Sequence, residues 1–241
     1  HSASLPYNSF GGRNMKEEGI FFVAKFLEKK YLEEFLCGRL HLSAAQYFRN
    51  LEDKENPGRP DRFECVDHMW QSDQVAVLIN GHEVGGITGP ILATQERFPC
   101  YIFCLTAVTT RWVTERPQRL DARLAKFGEV CVTIEGDQIK KFFDRIKTAI
   151  DSSSNLYAID GSNGRCAGLV DYVDKSFHGA IGPFRKLAHL SYQKEWRIAV
   201  MDTKSSPEPF IKLDIGDIRN ICNIWDTSVI LSSDIKAVRR V

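Results

Sequence analysis

The segment that most constrains this chain is Ser191 to Val200, Ser-Tyr-Gln-Lys-Glu-Trp-Arg-Ile-Ala-Val, in which a polar cluster runs directly into a β-branched and aromatic stretch. Trp196 to Val200 has the content of a short buried strand. Any fold that buries it must place the polar residues before it at the mouth of a sheet, where a carboxylate is held rigidly enough for chemistry. On an extended backbone Gln193 and Glu195, two residues apart, project from the same side and set an amide beside an anionic acceptor. The plainer alternative is an edge-strand carboxylate on a solvated face, paired with Lys194 or Arg197.

Around this segment the pattern is that of an α+β protein. Ile20 to Phe26 reads as a strand, Lys29 to Cys37 as a short amphipathic helix ending at Gly38, and Arg39 to Leu42 as a second strand. That compact unit brings Lys25 and Ser43 to the mouth of the sheet. Ser43 to Phe48 reads as a capped turn of helix, followed by a surface loop over residues 50–61. Val75 to Ile79 is a strand with a hairpin turn at Asn80-Gly81. Tyr101 to Thr106, Gly128 to Ile134 and Leu169 to Val173 are further strands. Asp121 to Phe127 and Gly136 to Ile150 are helices, the second with Ile139, Phe142, Phe143 and Ile146 inward. Phe184 to Leu190 is predicted helical, Phe210 to Leu213 and Val229 to Leu231 are the last strands, and a short helical stretch begins at Asp217. No repeat or low-complexity linker divides the chain, so one domain over residues 15–241 is expected, with 1–14 a tag remnant or flexible N-terminus.

Composition narrows the function classes. A net charge of +1 over 241 residues argues against a dedicated, phosphate-driven nucleic-acid binder. The seven cysteines are odd in number and several lie inside apolar runs, which suits buried thiols of a reducing cytosol. Cys100 and Cys104 lack a second Cys or His pair nearby, the six histidines show no ligand spacing, and no metal is expected. Absence of a long apolar run and of a signal-peptide core leads to the expectation of a cytoplasmic protein without a membrane partner.

A second polar cluster, Arg59-Pro60-Asp61-Arg62-Phe63-Glu64, follows the loop. Arg59 or Arg62 is suited to a phosphate, with Asp61 and Glu64 orienting it. The same residues also read as a helix start, with Asp61 as N-cap and Glu64 completing a capping box.

Taken together, the strand with Lys25, the Arg39-Leu40-His41-Leu42-Ser43 strand and the late Tyr192-Gln193-Lys194-Glu195 segment resemble the core of the ADP-ribosyltransferase superfamily. In that superfamily a basic or His residue on the first strand, a Ser/Thr-bearing second motif and a Gln-x-Glu or Glu-x-Glu third motif surround NAD. The chain also resembles a bacterial and phage domain family with a Tyr-Gln-x-Glu-Trp-Arg signature, on Leu40 to Glu64, Phe103 to Thr106, Lys126 to Gly128 and Phe184 to Arg197; that similarity spans most of the chain but names no reaction. It departs from the superfamily at Lys25, where Arg or His is usual, and at Leu42-Ser43-Ala44, which lacks the Ser-Thr-Ser continuation.

The resemblance implies a central split or mixed sheet with flanking helices, and NAD as substrate rather than retained cofactor. It implies an ADP-ribosyltransferase or NAD glycohydrolase with a macromolecular acceptor, protein or nucleic acid, acting as a toxin or antiviral defence effector with an antitoxin or defence partner. By the same resemblance Glu195 stabilises the cation that develops on the ribose and Gln193 positions the nucleophile. Ser43 supports the site, Tyr47 stacks on nicotinamide and Lys25 or Arg59 contacts the pyrophosphate; Asp61 and Glu64 join the binding set from the reading of the Arg59–Glu64 cluster above. The alternative from another class is a nucleotide- or nucleic-acid-binding module in which Arg59, Arg62, Lys186 and Arg197 hold phosphates and no bond breaks.

Overall fold

The computed structural model describes residues 19–50, 61–94, 99–114, 116–158, 166–203 and 208–236. Among them, nine strands build one antiparallel sheet, which we number β1 (Ile20–Leu27), β2 (Arg39–Ala44), β3 (Cys100–Thr109), β4 (Val130–Glu135), β5 (Leu156–Ala158), β6 (Ala167–Leu169), β7 (Glu195–Asp202), β8 (Phe210–Asp214) and β9 (Asn223–Asp226). Four α-helices among the described residues accompany it: α1 (Leu32–Leu36), α2 (Ala45–Asn50), α3 (Gln138–Asp151) and α4 (Thr227–Ser232). The class is α+β with a mostly antiparallel sheet. No helix among the described residues is long and apolar enough to cross a membrane.

The centre of the sheet is β3, whose ten residues run Cys-Tyr-Ile-Phe-Cys-Leu-Thr-Ala-Val-Thr. One edge pairs with β7 from Cys100 to Thr106. The other edge is shared by two strands, β1 opposite Thr106 to Thr109 and β2 opposite Tyr101 and Ile102. Between them Phe103, Cys104 and Leu105 have no strand partner on that edge. The sheet is therefore split at this point, and an exposed backbone edge must find other partners. Lys25 supplies one: its Nζ donates to the Cys104 carbonyl at 2.8 Å and lies 4.6 Å from the centre of the Phe103 ring.

Strand alternation sorts the side chains of β7 onto two faces. Trp196, Ile198 and Val200 join the main core with Val23, Phe103 and Leu105. Helix α3 covers that core because Ile139, Phe142, Ile146 and Ile150 recur at helical spacing and are buried; Phe143 stacks on Trp196 at 4.1 Å. Glu195, Arg197 and Ala199 point to the opposite face, where Cys104 and Ile102 of β3 and Phe184 meet them.

Two glycines act as joints. Gly38, with φ +80°, turns the chain from α1 into β2, and a Cβ there would lie 1.9 Å from the Gly216 carbonyl oxygen. At Gly128, φ +150°, a Cβ would sit 1.9 Å from the Leu27 carbonyl carbon, so β1 and β4 close together there only around a glycine.

Several expected elements differ. The helix predicted for Phe184 to Leu190 is instead a 3-10 turn at Gly182–Phe184, a strand at Arg185–Leu187 parallel to Asp171–Val173, and a second 3-10 turn at Ala188–Gln193. Pro183 and the burial of Lys186 among carboxylates override a weak helical pattern. Val229 to Leu231, predicted as a strand, lies in α4, since a short apolar run carries no period of its own. The real strand, β9, lies just before it with all four residues exposed. The Val75 to Ile79 strand shrinks to Leu78–Ile79, but it does turn at Asn80-Gly81, both at positive φ, into His82–Glu83. The 1–14 segment lies outside the described residues.

Candidate functional site

Chain geometry at Lys194 creates the site. This residue is left-handed, φ 46° and ψ 50°, ending the 3-10 turn and starting β7. Gln193 and Glu195 thus converge through a turn and not, as their spacing suggests, along one extended strand. Both are buried, at 6% and 5% exposure. That burial overturns the solvated edge-strand setting of the plainer alternative, while the pairing of Glu195 with Arg197 that it named is found at 2.8 Å.

What makes burial of Glu195 tolerable is a network of counter-charges. Arg197, two residues on and on the same face, donates through Nη2 to Glu195 Oε1 at 2.8 Å. It grips Glu64 with Nη1 to Oε1 at 2.5 Å and Nη2 to Oε2 at 3.2 Å, and donates to the Pro183 carbonyl at 2.7 Å. Lys186 sits on the other side. Its Nζ donates to Gln193 Oε1 at 3.0 Å and lies 3.1 Å from Glu195 Oε2, 3.5 Å from Glu64 and 3.8 Å from Asp61. The Glu195 amide donates to the Tyr172 hydroxyl at 2.9 Å, fixing the backbone as well.

Charge decides which protonation states this cluster holds. Burial pushes Glu195 up, but Arg197 and then Lys186 overcome it and hold its carboxyl well below the ordinary 4.5. Glu64 is lowered by the same balance, with burial opposed by Arg197 and Lys186. Burial would strip the Lys186 proton, yet Glu195 and Glu64 hold it on, so its pKa is raised. Three carboxylates (Asp61, Glu64, Glu195) face two cations (Lys186, Arg197), a formal surplus of one negative charge. Asp61 absorbs the imbalance: burial, then the Glu64 charge, push its pKa up. Its Oδ2 has no hydrogen-bond partner.

An ionised carboxylate of low pKa cannot serve as a general acid near neutral pH. It can stabilise a developing cation or accept from a hydroxyl, in a desolvated site where both effects are strong.

The network forms one wall of a cleft of about 680 Å³. Lys25, Ser43, Tyr47, Glu64, Gln193 and Glu195 all line it, so six of the residues singled out from sequence meet at one place. Ser43 reaches it because β2 alternates, with Leu40, Leu42 and Ala44 buried and Arg39, His41 and Ser43 on the cleft side. Tyr47 stands at the opening, 45% exposed, edge-on to Phe48. Phe210 and His41 also line the cleft, their rings stacked at 5.1 Å.

Other expectations are corrected. Arg59 falls outside the described residues. Asp61 does not line the cleft and does not cap a helix: its Oδ1 accepts the Phe63 amide at 3.0 Å in a turn over 62–65. Glu64 does not reach back as a capping box would, because Arg197 takes both its oxygens. Arg197 is fully buried and does not line the cleft, whereas Lys186 lines it with its ammonium already matched by carboxylates. Arg62 is exposed and away from the cleft lining.

The sequence offered Arg197 as a partner of Glu195 only in the plainer alternative, and it offered neither Lys186 nor Tyr172 as a support of Glu195. For Arg197 a signal existed, since residues two apart on a strand share a face. Lys186 and Tyr172 reach the site only through tertiary folding. Among the described residues no group of three or more His, Cys, Asp or Glu side chains is placed to hold a metal ion.

No family model, no curated protein and no solved structure matches the chain.

Proposed function

We propose that the protein cleaves the bond between nicotinamide and ribose in NAD, on an ADP-ribosyltransferase-like sheet, and passes the ADP-ribose to a macromolecular acceptor or to water. One observation carries this reading. Glu195, kept ionised by Arg197 and Lys186, lines the same cleft as Gln193, Ser43, Tyr47 and Lys25.

In this reaction the ribose C1′–N1 bond breaks and nicotinamide leaves with the electron pair, so positive charge develops on the ribose. A fixed anion beside it lowers that barrier. Glu195 is that anion. Gln193, tied to Glu195 through the shared ammonium of Lys186, orients the nucleophile, which bonds to C1′ and gives up its proton. The exposed Tyr47 ring offers a stacking surface for nicotinamide, and the Lys25 ammonium adds positive charge for the pyrophosphate. A cytoplasmic setting, where NAD is met and thiols stay reduced, is part of the proposal; the seven cysteines are thiols, not disulfide-bonded.

A second reading, nucleotide binding without bond cleavage, is favoured by one feature: each Glu195 oxygen already lies within reach of a cation, at 2.8 and 3.1 Å. Incubating the full chain with NAD, with and without cell lysate, and quantifying nicotinamide separates the two. Release supports cleavage, with lysate-dependent release pointing to a macromolecular acceptor. Saturable NAD binding with no release under either condition overturns cleavage in favour of binding.

A further inference from the structure

Cys65 and Cys100 take no part in the chemistry above. Cys65 is buried in the turn after Glu64, Cys100 is half-buried at the start of β3, and their sulfurs lie 3.5 Å apart across 35 residues of sequence. A disulfide bond is about 2.05 Å long, so closing the gap needs only a small side-chain movement. Cys65 also has φ 51°, a left-handed conformation that L side chains rarely adopt, held by the turn around it.

The pair is coupled to the site through contacts already described. Cys65 Sγ lies 3.7 Å from Glu64 Oε1, Glu64 holds Arg197, and Arg197 holds Glu195. Displacing residue 65 therefore moves the neighbour that anchors the whole charge network.

We propose that Cys65 and Cys100 form a reversible disulfide on exposure to a hydroperoxide, and that the bond draws the 61–65 turn against β3 and lowers turnover at Glu195. The thiol pairing stands on its own geometry; the effect on turnover rests on the NAD-cleaving reading. Cys100, the more exposed thiol, attacks one peroxide oxygen as its thiolate. An S–O bond forms, the O–O bond breaks, and the departing alkoxide or hydroxide takes a proton. The Cys65 sulfur then attacks the sulfenic sulfur of Cys100. The S–S bond forms, the S–O bond breaks, and hydroxide leaves with the Cys65 proton as water, so two thiols are oxidised and one peroxide is reduced. The contact with Cys100 and then burial push the Cys65 thiol up, which keeps it protonated and leaves its 3.5 Å proximity to Cys100 as the feature that favours resolution.

The test treats the full chain with hydrogen peroxide, alkylates remaining thiols, digests without reduction and maps the linked peptides by mass spectrometry. The expected result is a Cys65–Cys100 link that dithiothreitol removes, that is absent from Cys100→Ser and that persists in Cys222→Ser. Finding both thiols alkylated, or Cys100 carried on to sulfinic acid with no link, overturns the pairing. Nicotinamide release is read in parallel. It should be lost on oxidation and regained on reduction in the parent chain, and should survive peroxide in Cys100→Ser. A link that leaves release unchanged overturns the regulatory half. Absence of release from the fully reduced chain sinks the NAD reading instead, and the peptide map alone then decides the pairing.

Discussion

Arg197 holds Glu64 through both carboxylate oxygens across 133 residues of sequence, and the same guanidinium holds Glu195. It is fully buried, and Glu64 and Glu195 are only 2% and 5% exposed, so removing it leaves two poorly solvated carboxylates without their main counter-charge. Arg197→Ala should lower the unfolding free energy by about 3–5 kcal/mol, the usual cost of breaking one side of a buried pair. Urea unfolding followed by circular dichroism measures it. Arg197→Lys should recover little, because an ammonium cannot span both oxygens of Glu64 and reach Glu195 as well.

Tyr172 presents a subtler test. Its hydroxyl accepts from the Glu195 amide at 2.9 Å, and the ring is half-buried. Tyr172→Phe keeps the packing and leaves that amide without an acceptor, at a cost of about 1–3 kcal/mol. A drop smaller than about 0.5 kcal/mol in urea unfolding, the range of ordinary surface changes, would show that the contact contributes little.

Acid should unfold the protein through the same cluster. Glu195 and Glu64 have folded pKa values below the ordinary 4.5, so the stability they confer is fully present above that value and is lost as pH falls through the lower folded values. Asp61 acts in the opposite sense. Its pKa is raised, so the folded state binds its proton more tightly and loses stability as pH rises from 3.8 through the raised value. Asp61→Asn should therefore leave the acid limb in place and raise the thermal midpoint at neutral pH relative to the parent. A neutral-pH midpoint lower than the parent's would mean that the Asp61 charge stabilises the cluster through Lys186.

Tyr47 separates binding from folding. The ring is 45% exposed at the cleft opening, so Tyr47→Ala should change stability by no more than about 0.5 kcal/mol. Loss of a stacking platform costs about 1–3 kcal/mol per base, and calorimetric titration with NAD should show weaker binding of that size. Unchanged affinity would remove Tyr47 from the site.

How far the sequence reached depends on which physical signal each residue carries. Helix α3 and the joint at Gly38 were legible because apolar period and a glycine after a helical stretch are local signals. Strand pattern placed Lys25, Ser43, Gln193 and Glu195 at the mouth of the sheet, and they do meet at one cleft, although Gln193 and Glu195 converge through the left-handed Lys194 and not along a strand; Tyr47 carried no such signal and was named by resemblance alone. Strand β9 carried no pattern, since an edge strand with every residue exposed does not alternate. Asp61 and Glu64 matched a capping box by spacing alone, and only the fold revealed that Arg197 claims Glu64. Lys186 sat in a segment that looked helical, and its role depends on Glu195, Glu64 and Asp61 arriving around it from distant parts of the chain.

The most direct test compares nicotinamide release by the parent chain and by Glu195→Gln, with NAD binding measured on both. Gln keeps the shape of Glu195 and removes its charge, so the account predicts NAD binding retained and release lowered by about 10²–10³-fold, the loss typical of removing one transition-state-stabilising group. Equal release from the two proteins would contradict the assignment of Glu195 as the anion that supports bond cleavage.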